Sequence, residues 1–159
     1  MNSFFNYPDQ AEDQDQQDLL FLSTWDDSKW ATFIKYTELR RFKAGDQIIR
    51  HGDIENSFHI IIEGQVEILT PLKHSSKMRR VRVPQAGTVV GEQAFLDGKP
   101  RSATVHALTD GSMLTVSQTA FNTFAIHEPD MARELLMDLA RTISVKLRLA
   151  NSFIAKLMK

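Results

Sequence analysis

Ser57-Phe58-His59-Ile60-Ile61-Ile62-Glu63-Gly64-Gln65-Val66-Glu67-Ile68-Leu69 reads as two short strands folded about a single glycine. Its apolar residues are β-branched or aromatic, and Val66 and Ile68 alternate with polar neighbours, as a strand with one buried face requires. Outward from this hairpin the same texture recurs at 47–50, 79–83, 88–90, 103–107 and 113–116, where runs of three to five residues are separated by Gly, Asp, Ser or Pro. All seven glycines lie between positions 45 and 111, which confines the turn-rich region to the middle of the chain. Evenly spaced short strands without intervening helices favour a sandwich, a jelly roll (double-stranded β-helix) or a small barrel. A doubly wound sheet is excluded, because its crossover helices have no room. The fold class is therefore mainly β with flanking α-helices.

The flanks change period. Residues 18–39 read as helix, with Asp26 or Asp27 as cap and Trp30, Phe33 and Ile34 on one face. Ser117 caps a short helix over 118–127, and Pro129 opens a longer one that runs to 159. In that last helix Leu136, Ile143, Ala150 and Leu157 recur every seventh residue, with Leu139 and Phe153 at the intervening position and Lys146 interrupting it. At 1.5 Å per residue the helix would be about 45 Å long, more than one small jelly roll needs for cover. The spacing predicts a homodimer through this helix. The division is thus a mobile acidic segment over 1–17, a helix plus jelly-roll domain over 18–128, and a lid or dimerisation helix over 129–159.

The chain has 159 residues, a net charge of −1, 42% apolar residues and no cysteine. That supports one well-buried domain and removes disulfides, thiolate metal sites and cysteine nucleophiles. Near-neutral charge argues against a protein devoted to nucleic acid. The charge is unevenly spread, with −5 over the first 18 residues and +4 over the last 29. The acidic start is unlike a secretory signal, and no apolar run approaches the roughly 18 residues of a membrane span. A soluble, cytoplasmic protein without membrane contact is expected.

The chemistry concentrates in Gly91-Glu92-Gln93-Ala94-Phe95-Leu96-Asp97-Gly98-Lys99-Pro100-Arg101-Ser102-Ala103-Thr104-Val105. Gly91 lets backbone approach a ligand, Glu92 to Leu96 has the composition of a single helical turn, and Pro100 fixes the approach to Arg101. An arginine held this way forks two donors onto a phosphate. Glu92 accepts from sugar hydroxyls, and the first N–H groups of the turn suit an anion. A simple Glu92–Arg101 pair across a turn would use the same residues, and spacing alone does not separate the two.

This segment resembles the phosphate-binding cassette of the cyclic nucleotide-binding domain family, the sensor domains of bacterial catabolite activators and of protein kinase regulatory subunits. Phe42-Lys-Ala-Gly-Asp-Gln-Ile-Ile-Arg-His-Gly-Asp53 and the hairpin that begins at Phe58 are similar to its first strands, so the resemblance runs from about Leu39 to Phe153. The resemblance implies that Glu92 binds the ribose 2′-hydroxyl and that Arg101 neutralises the cyclic phosphate. Ser102, with the N–H groups of Gln93 and Ala94, completes the cradle beside Gly91 and Ala103. Ile68, Val81 and Val83 are implied to line the base pocket, and Thr142 is the candidate partner for an adenine amino group. Val90 stands where the family pattern has an aromatic residue, and Gln93 where it has an aliphatic one. Lys146 can donate but not accept, and Arg82 faces either a guanine oxygen or solvent. Family frequency favours cyclic AMP, with cyclic GMP possible.

Other motifs are weaker. His51, His59, His74, His106 and His127 lack the spacing of a metal site, so no metal is expected. Lys73, Lys77, Arg79, Arg80 and Arg82 make a basic hairpin without the aromatics or recognition helix of a nucleic-acid binder. No nucleophile–base set or Walker loop stands out, and no catalytic residue is assigned. The expected function is a cyclic nucleotide sensor that signals by moving its C-terminal helix toward an unidentified output protein or a further C-terminal domain. Direct DNA binding is not expected. The alternatives are a jelly-roll interaction module without nucleotide dependence and a sensor of another phosphorylated signal such as a cyclic dinucleotide.

Overall fold

The computed structural model describes residues 14–159, as α1 (Gln14–Asp18), α2 (Asp27–Ile34), β1 (Glu38–Phe42), β2 (Gln47–Ile49), β3 (Phe58–Glu63), β4 (Val66–Pro71), β5 (Met78–Arg82), β6 (Val89–Val90), α3 (Glu92–Asp97), β7 (Thr104–Ala107), β8 (Gly111–Val116), α4 (Gln118–His127) and α5 (Pro129–Leu157). The strands form two antiparallel four-stranded sheets, ordered β1-β8-β3-β6 and β2-β7-β4-β5. This is a jelly roll, one of the architectures the strand spacing allows and the one the family resemblance implies. The β3–β4 hairpin turns at Gly64, whose φ is +91° and where a Cβ would lie 2.6 Å from the Asp110 carbonyl oxygen. Only glycine meets both constraints without strain.

Two cores hold the fold. Phe42, Ile49, Ile61, Val66, Val90, Val105, Ala107 and Met113 fill the space between the sheets. The second core packs α2, α4 and α5 on the outer face of the β1-β8-β3-β6 sheet through Trp30, Phe33, Phe58, Phe124, Leu135 and Leu139. Full burial of side chains such as Leu135 and Leu139 contributes about 1.5–3 kcal/mol each. Phe95 of α3 belongs to this helical core, edge-on to Phe58 at 4.8 Å and to Phe121 at 5.4 Å. The short helix that shapes the site is therefore packed against the elements that carry α4 and α5.

Three expectations change. The helix predicted over 18–39 shrinks to α2, capped as expected by Asp26, which accepts from Lys29 N at 2.9 Å. Leu19, Phe21, Leu22 and Trp25 are all buried, a density no single helix face provides, and the chain runs irregularly there with Leu22 at φ +51°. Its Leu22 N–H donates to Asp138 Oδ2 at 2.6 Å and Trp25 Nε1 to Glu134 Oε2 at 2.7 Å, so α5 straps the segment down. Leu39, placed in that helix by the sequence reading, lies in β1 opposite Leu114. Of the segment read as mobile, 1–17, most lies outside the described residues, and its end forms α1.

The third change concerns α5. Leu139 is in the core, Lys146 faces the site described below, and Phe153 lies under the Arg79 guanidinium at 5.5 Å. The intervening positions of the predicted seam are thus turned toward the chain's own domain. Leu136, Leu147, Ile154 and Leu157 are instead exposed and, with Ala140, Ile143 and Ala150, follow an unbroken alternation of four and three residues. No helix among the described residues is long and apolar enough to cross a membrane.

Candidate functional site

Gly91 begins α3 with φ +79°, and a Cβ there would lie 2.6 Å from Arg101 Nη1 and 3.0 Å from Ile49 Cδ1. Glycine is needed at this point because the arginine passes directly over the backbone. Arg101 is held at both ends. Its N–H donates to Asp53 O at 2.9 Å, and its carbonyl accepts from Gly52 N at 2.9 Å. Its guanidinium donates to Gly91 O at 2.9 Å and to Ser57 Oγ at 3.2 Å, and lies 3.3 Å from Glu55 Oε2. The side chain is 2% exposed, and its Nε has no partner among the described residues.

The surroundings of this buried cation are tuned to it. Burial by itself would raise the Glu55 carboxyl, but the Ser57 hydroxyl and the Arg101 charge outweigh burial and hold Glu55 below the ordinary carboxylate range. His59, fully buried behind the same cluster, shares a hydrogen bond with Thr115 Oγ1 at 2.9 Å. Burial first, and the Arg101 charge second, push His59 down to about 4. The imidazole is therefore neutral at physiological pH.

On the other side of Arg101 lies a cavity of about 300 Å³. Gly91, Glu92, Gln93, Ala94, Arg101, Ser102, Ala103, Ile68 and Val81 all line it, so nine of the eleven residues singled out from the sequence are brought together. The first turn of α3 supplies N–H groups that lack intrahelical partners. Within one chamber there is thus a carboxylate, a buried guanidinium and a set of N–H donors, which suits a ligand with both hydroxyls and an anionic group. The Ser102 hydroxyl, assigned to a phosphate by the resemblance, here donates to Gln93 Oε1.

Two expected residues lie elsewhere. Thr142 is completely buried, donates to Asp138 O at 2.9 Å, one turn back along its own helix, and does not line the cavity. Val83 falls after β5 and lines a second cavity of about 270 Å³, between the N-terminal segment, the β5–β6 connection and α5. Val81 reaches the first cavity only at its rim and is 58% exposed. The cause is a β-bulge. Leu69 pairs with Arg80, but Ile68 pairs with Arg82, so Val81 is the extra residue and Arg82 takes the inward register beside Ile68.

The structure adds two cations that motif reasoning had left at the margin. Lys146 of α5 donates to Glu92 Oε1, in a short contact, and to Val89 O at 3.1 Å. Glu92 is 3% exposed, so the lysine occupies the very carboxylate assigned to the ligand's sugar. Burial lowers the Lys146 ammonium, Glu92 opposes that shift, and Arg82 adds to it. Arg82 is half-buried and lines both cavities. Burial lowers its guanidinium as well, against the pull of Glu92. The sequence signal for Lys146 is its break in the apolar repeat; for Arg82 it is a place between Val81 and Val83, the residues implied to line the base pocket.

The cyclic nucleotide-binding domain model matches residues 39–127, more than half of the chain. A cyclic nucleotide-gated potassium channel of Rhizobium etli is 34% identical over 92 residues, which are 58% of this chain and 24% of the channel. Among solved structures, a cyclic nucleotide-binding domain from Methylobacillus flagellatus superposes with a TM-score of 0.78 at 18% identity, covering 89% of this chain and 83% of that one. The catabolite activator protein of Thermus thermophilus gives 0.74 at 20% identity, covering 86% and 62%. These two likenesses are of fold. The chain spans 24% to 36% of three of the curated relatives it matches and as little as 6% of another. On the family match, the jelly roll and the cavity between α3 and Arg101, the chain belongs to the cyclic nucleotide-binding domain family.

Proposed function

We propose that this chain is a sensory module that binds a cyclic nucleotide in the cavity between α3 and Arg101 and signals by releasing α5. The observation that carries this reading is that α5 reaches the ligand site through Lys146, whose ammonium sits on Glu92. A ribose hydroxyl at Glu92 and Lys146 at Glu92 compete for one carboxylate. The phosphate takes Arg101, and α3, packed through Phe95 on Phe58 and Phe121, passes its displacement to the helical core. A ligand shifts such an equilibrium only by its difference in affinity between the two states, and the exchange at Glu92 supplies that difference.

Cyclic AMP is the expectation from family frequency and cyclic GMP the alternative. The exposed stripe from Leu136 to Leu157 fits a homodimer seam, and the output element is a partner chain or a domain joined to α5. A second reading, an interaction module indifferent to nucleotide, is favoured by the two contacts that fill the site from within, Lys146 on Glu92 and Ser102 on Gln93. Calorimetry with cyclic AMP, cyclic GMP and cyclic di-GMP separates the readings, with an Arg101→Ala variant of verified fold as control. Saturable binding of a mononucleotide that the variant loses supports the sensor. No heat from any of the three, with ligand-free folded protein, overturns it in favour of the interaction module.

A further inference from the structure

The thirteen residues before α1 carry three carboxylates (Asp9, Glu12 and Asp13), three aromatic rings (Phe4, Phe5 and Tyr7) and no Lys or Arg. The surface beside α1 is of the opposite kind. Between β5 and the second half of α5 lies an open groove of about 570 Å³. Val81, Leu149, Phe153 and Ile154 give it an apolar lining, and Val81, Phe153 and Ile154 are each about half exposed. Arg79 lies over the Phe153 ring and, like Lys73 and Lys77 in the β4–β5 turn, has no carboxylate partner among the described residues. After Asp138, α5 adds Arg148 and Lys156 and no further Asp or Glu.

Position and reach agree with this complementarity. Asp15 and Gln16 of α1 line the second cavity together with Arg82, Lys146 and Leu149, and the same three residues line the groove. Arg141 of α5 holds the other end of α1, donating to Asp18 O and to Leu20 O. The chain that precedes Gln14 therefore starts at the inner end of the groove. Thirteen residues extend up to about 45 Å, whereas Lys146 to Ile154 is about 12 Å along the helix. Carboxylates suit the exposed basic face, and aromatic rings suit Phe153 and the Arg79 guanidinium above it. We propose that residues 1–13 dock in the groove between β5 and α5 and compete there with the ligand. The groove opens onto the nucleotide cavity, because Thr70, Val81, Arg82 and Lys146 line both. A segment seated in it closes that side of the cavity. The docking stands on the two surfaces; the competition rests on the cyclic nucleotide reading above.

The chain has no cysteine, so Ala11→Cys places a single nitroxide on the segment of the full chain. The label is expected to broaden the amide resonances of residues 79–82 and 149–154 and to leave those of β1 and β2 sharp. A mixture of spin-labelled chain with isotope-labelled, cysteine-free chain should show no such broadening. Asp9→Asn, Glu12→Gln and Asp13→Asn, combined with Phe4→Ser, Phe5→Ser and Tyr7→Ser, should release the segment and abolish the effect. Arg79→Glu should do the same from the groove side, and Arg79→Lys should not. If the segment is docked about four-fifths of the time, one molecule in five is open, and the released variant binds cyclic AMP or cyclic GMP about fivefold tighter by calorimetry. Broadening elsewhere, or none, overturns the docking. Broadening in the mixed sample overturns it in favour of a second copy of the chain. Unchanged nucleotide affinity in the released variant overturns the competition. Absence of nucleotide binding by wild type and variant alike overturns the sensor reading and the competition with it, and the resonances then decide the docking alone.

Discussion

Replacing Lys146 by methionine separates a latch from a ligand contact, because the two roles predict opposite signs. Methionine keeps the length and the apolar stem and removes only the ammonium. In the empty protein Glu92, whose side chain is 4% exposed beside Lys146, then loses its partner. Breaking a buried ion pair by deleting one member costs about 3–5 kcal/mol, and the open cavity beside Glu92, which admits water, reduces the expected loss of stability to about 2 kcal/mol. Ligand binding gains. The wild-type protein gives up a charged hydrogen bond when a sugar hydroxyl takes Glu92, and such bonds are worth about 1.5–3 kcal/mol. Relieved of that competition, the variant should bind the nucleotide about tenfold more tightly, equivalent to about 1.4 kcal/mol. Calorimetry gives the affinity, and urea denaturation with and without ligand gives the stabilities, whose difference between the two proteins should shrink at saturation. Hydrogen exchange over residues 143–157 in the empty variant should match that of the liganded wild type. Weaker binding by Lys146→Met would refute the latch and make the lysine a ligand contact. Unchanged affinity with reduced stability would make it a structural pair only.

Gly91→Ala and Gly98→Ala form a matched comparison, since both glycines have positive φ but only at Gly91 would the new methyl meet Arg101, at 2.6 Å. Each should cost about 1–2 kcal/mol of stability from the backbone, while only Gly91→Ala should weaken binding more than tenfold; equal binding by the two would remove the close approach from the account. His59 has a folded value of about 4 against an ordinary 6.5, so it protonates more readily in the unfolded chain. Its contribution is complete above pH 6.5 and is lost as pH falls toward 4, about 2 kcal/mol of it between pH 7.5 and 5. A His59→Gln variant whose urea midpoint drops as steeply as the wild type over that interval would contradict this. Leu147→Glu and Ile154→Glu alter side chains 60% and 52% exposed, so a monomer should melt within a degree or two of the parent while light scattering reports loss of the dimer. A parent that is monomeric at all concentrations would dispose of the seam.

The short-strand β architecture and the composition of the cassette are legible in the local sequence. Strand character, glycine turns and the Gly91–Ser102 motif are local properties, set by the period of neighbouring residues and by backbone conformations few residue types adopt. Each of the seven strand-like runs became a strand, and the cassette residues converged on one cavity. Strand β1 was hidden because Glu38 to Phe42 has little alternation and earns its place by pairing with β8, some 70 residues away. The orientation of side chains around the ligand belonged to the tertiary structure. One extra residue at Val81 reverses which face Arg82 occupies, and strict alternation carries no mark of it. The phase of α5 behaves the same way. Leu139 and Ala140 are equally plausible seam positions in the repeat, and the helix turned about its axis so that Leu135, Leu139 and Thr142 met the core while Lys146 met Glu92. A helix periodicity defines a face, but which partner that face finds depends on the surfaces the rest of the chain presents to it.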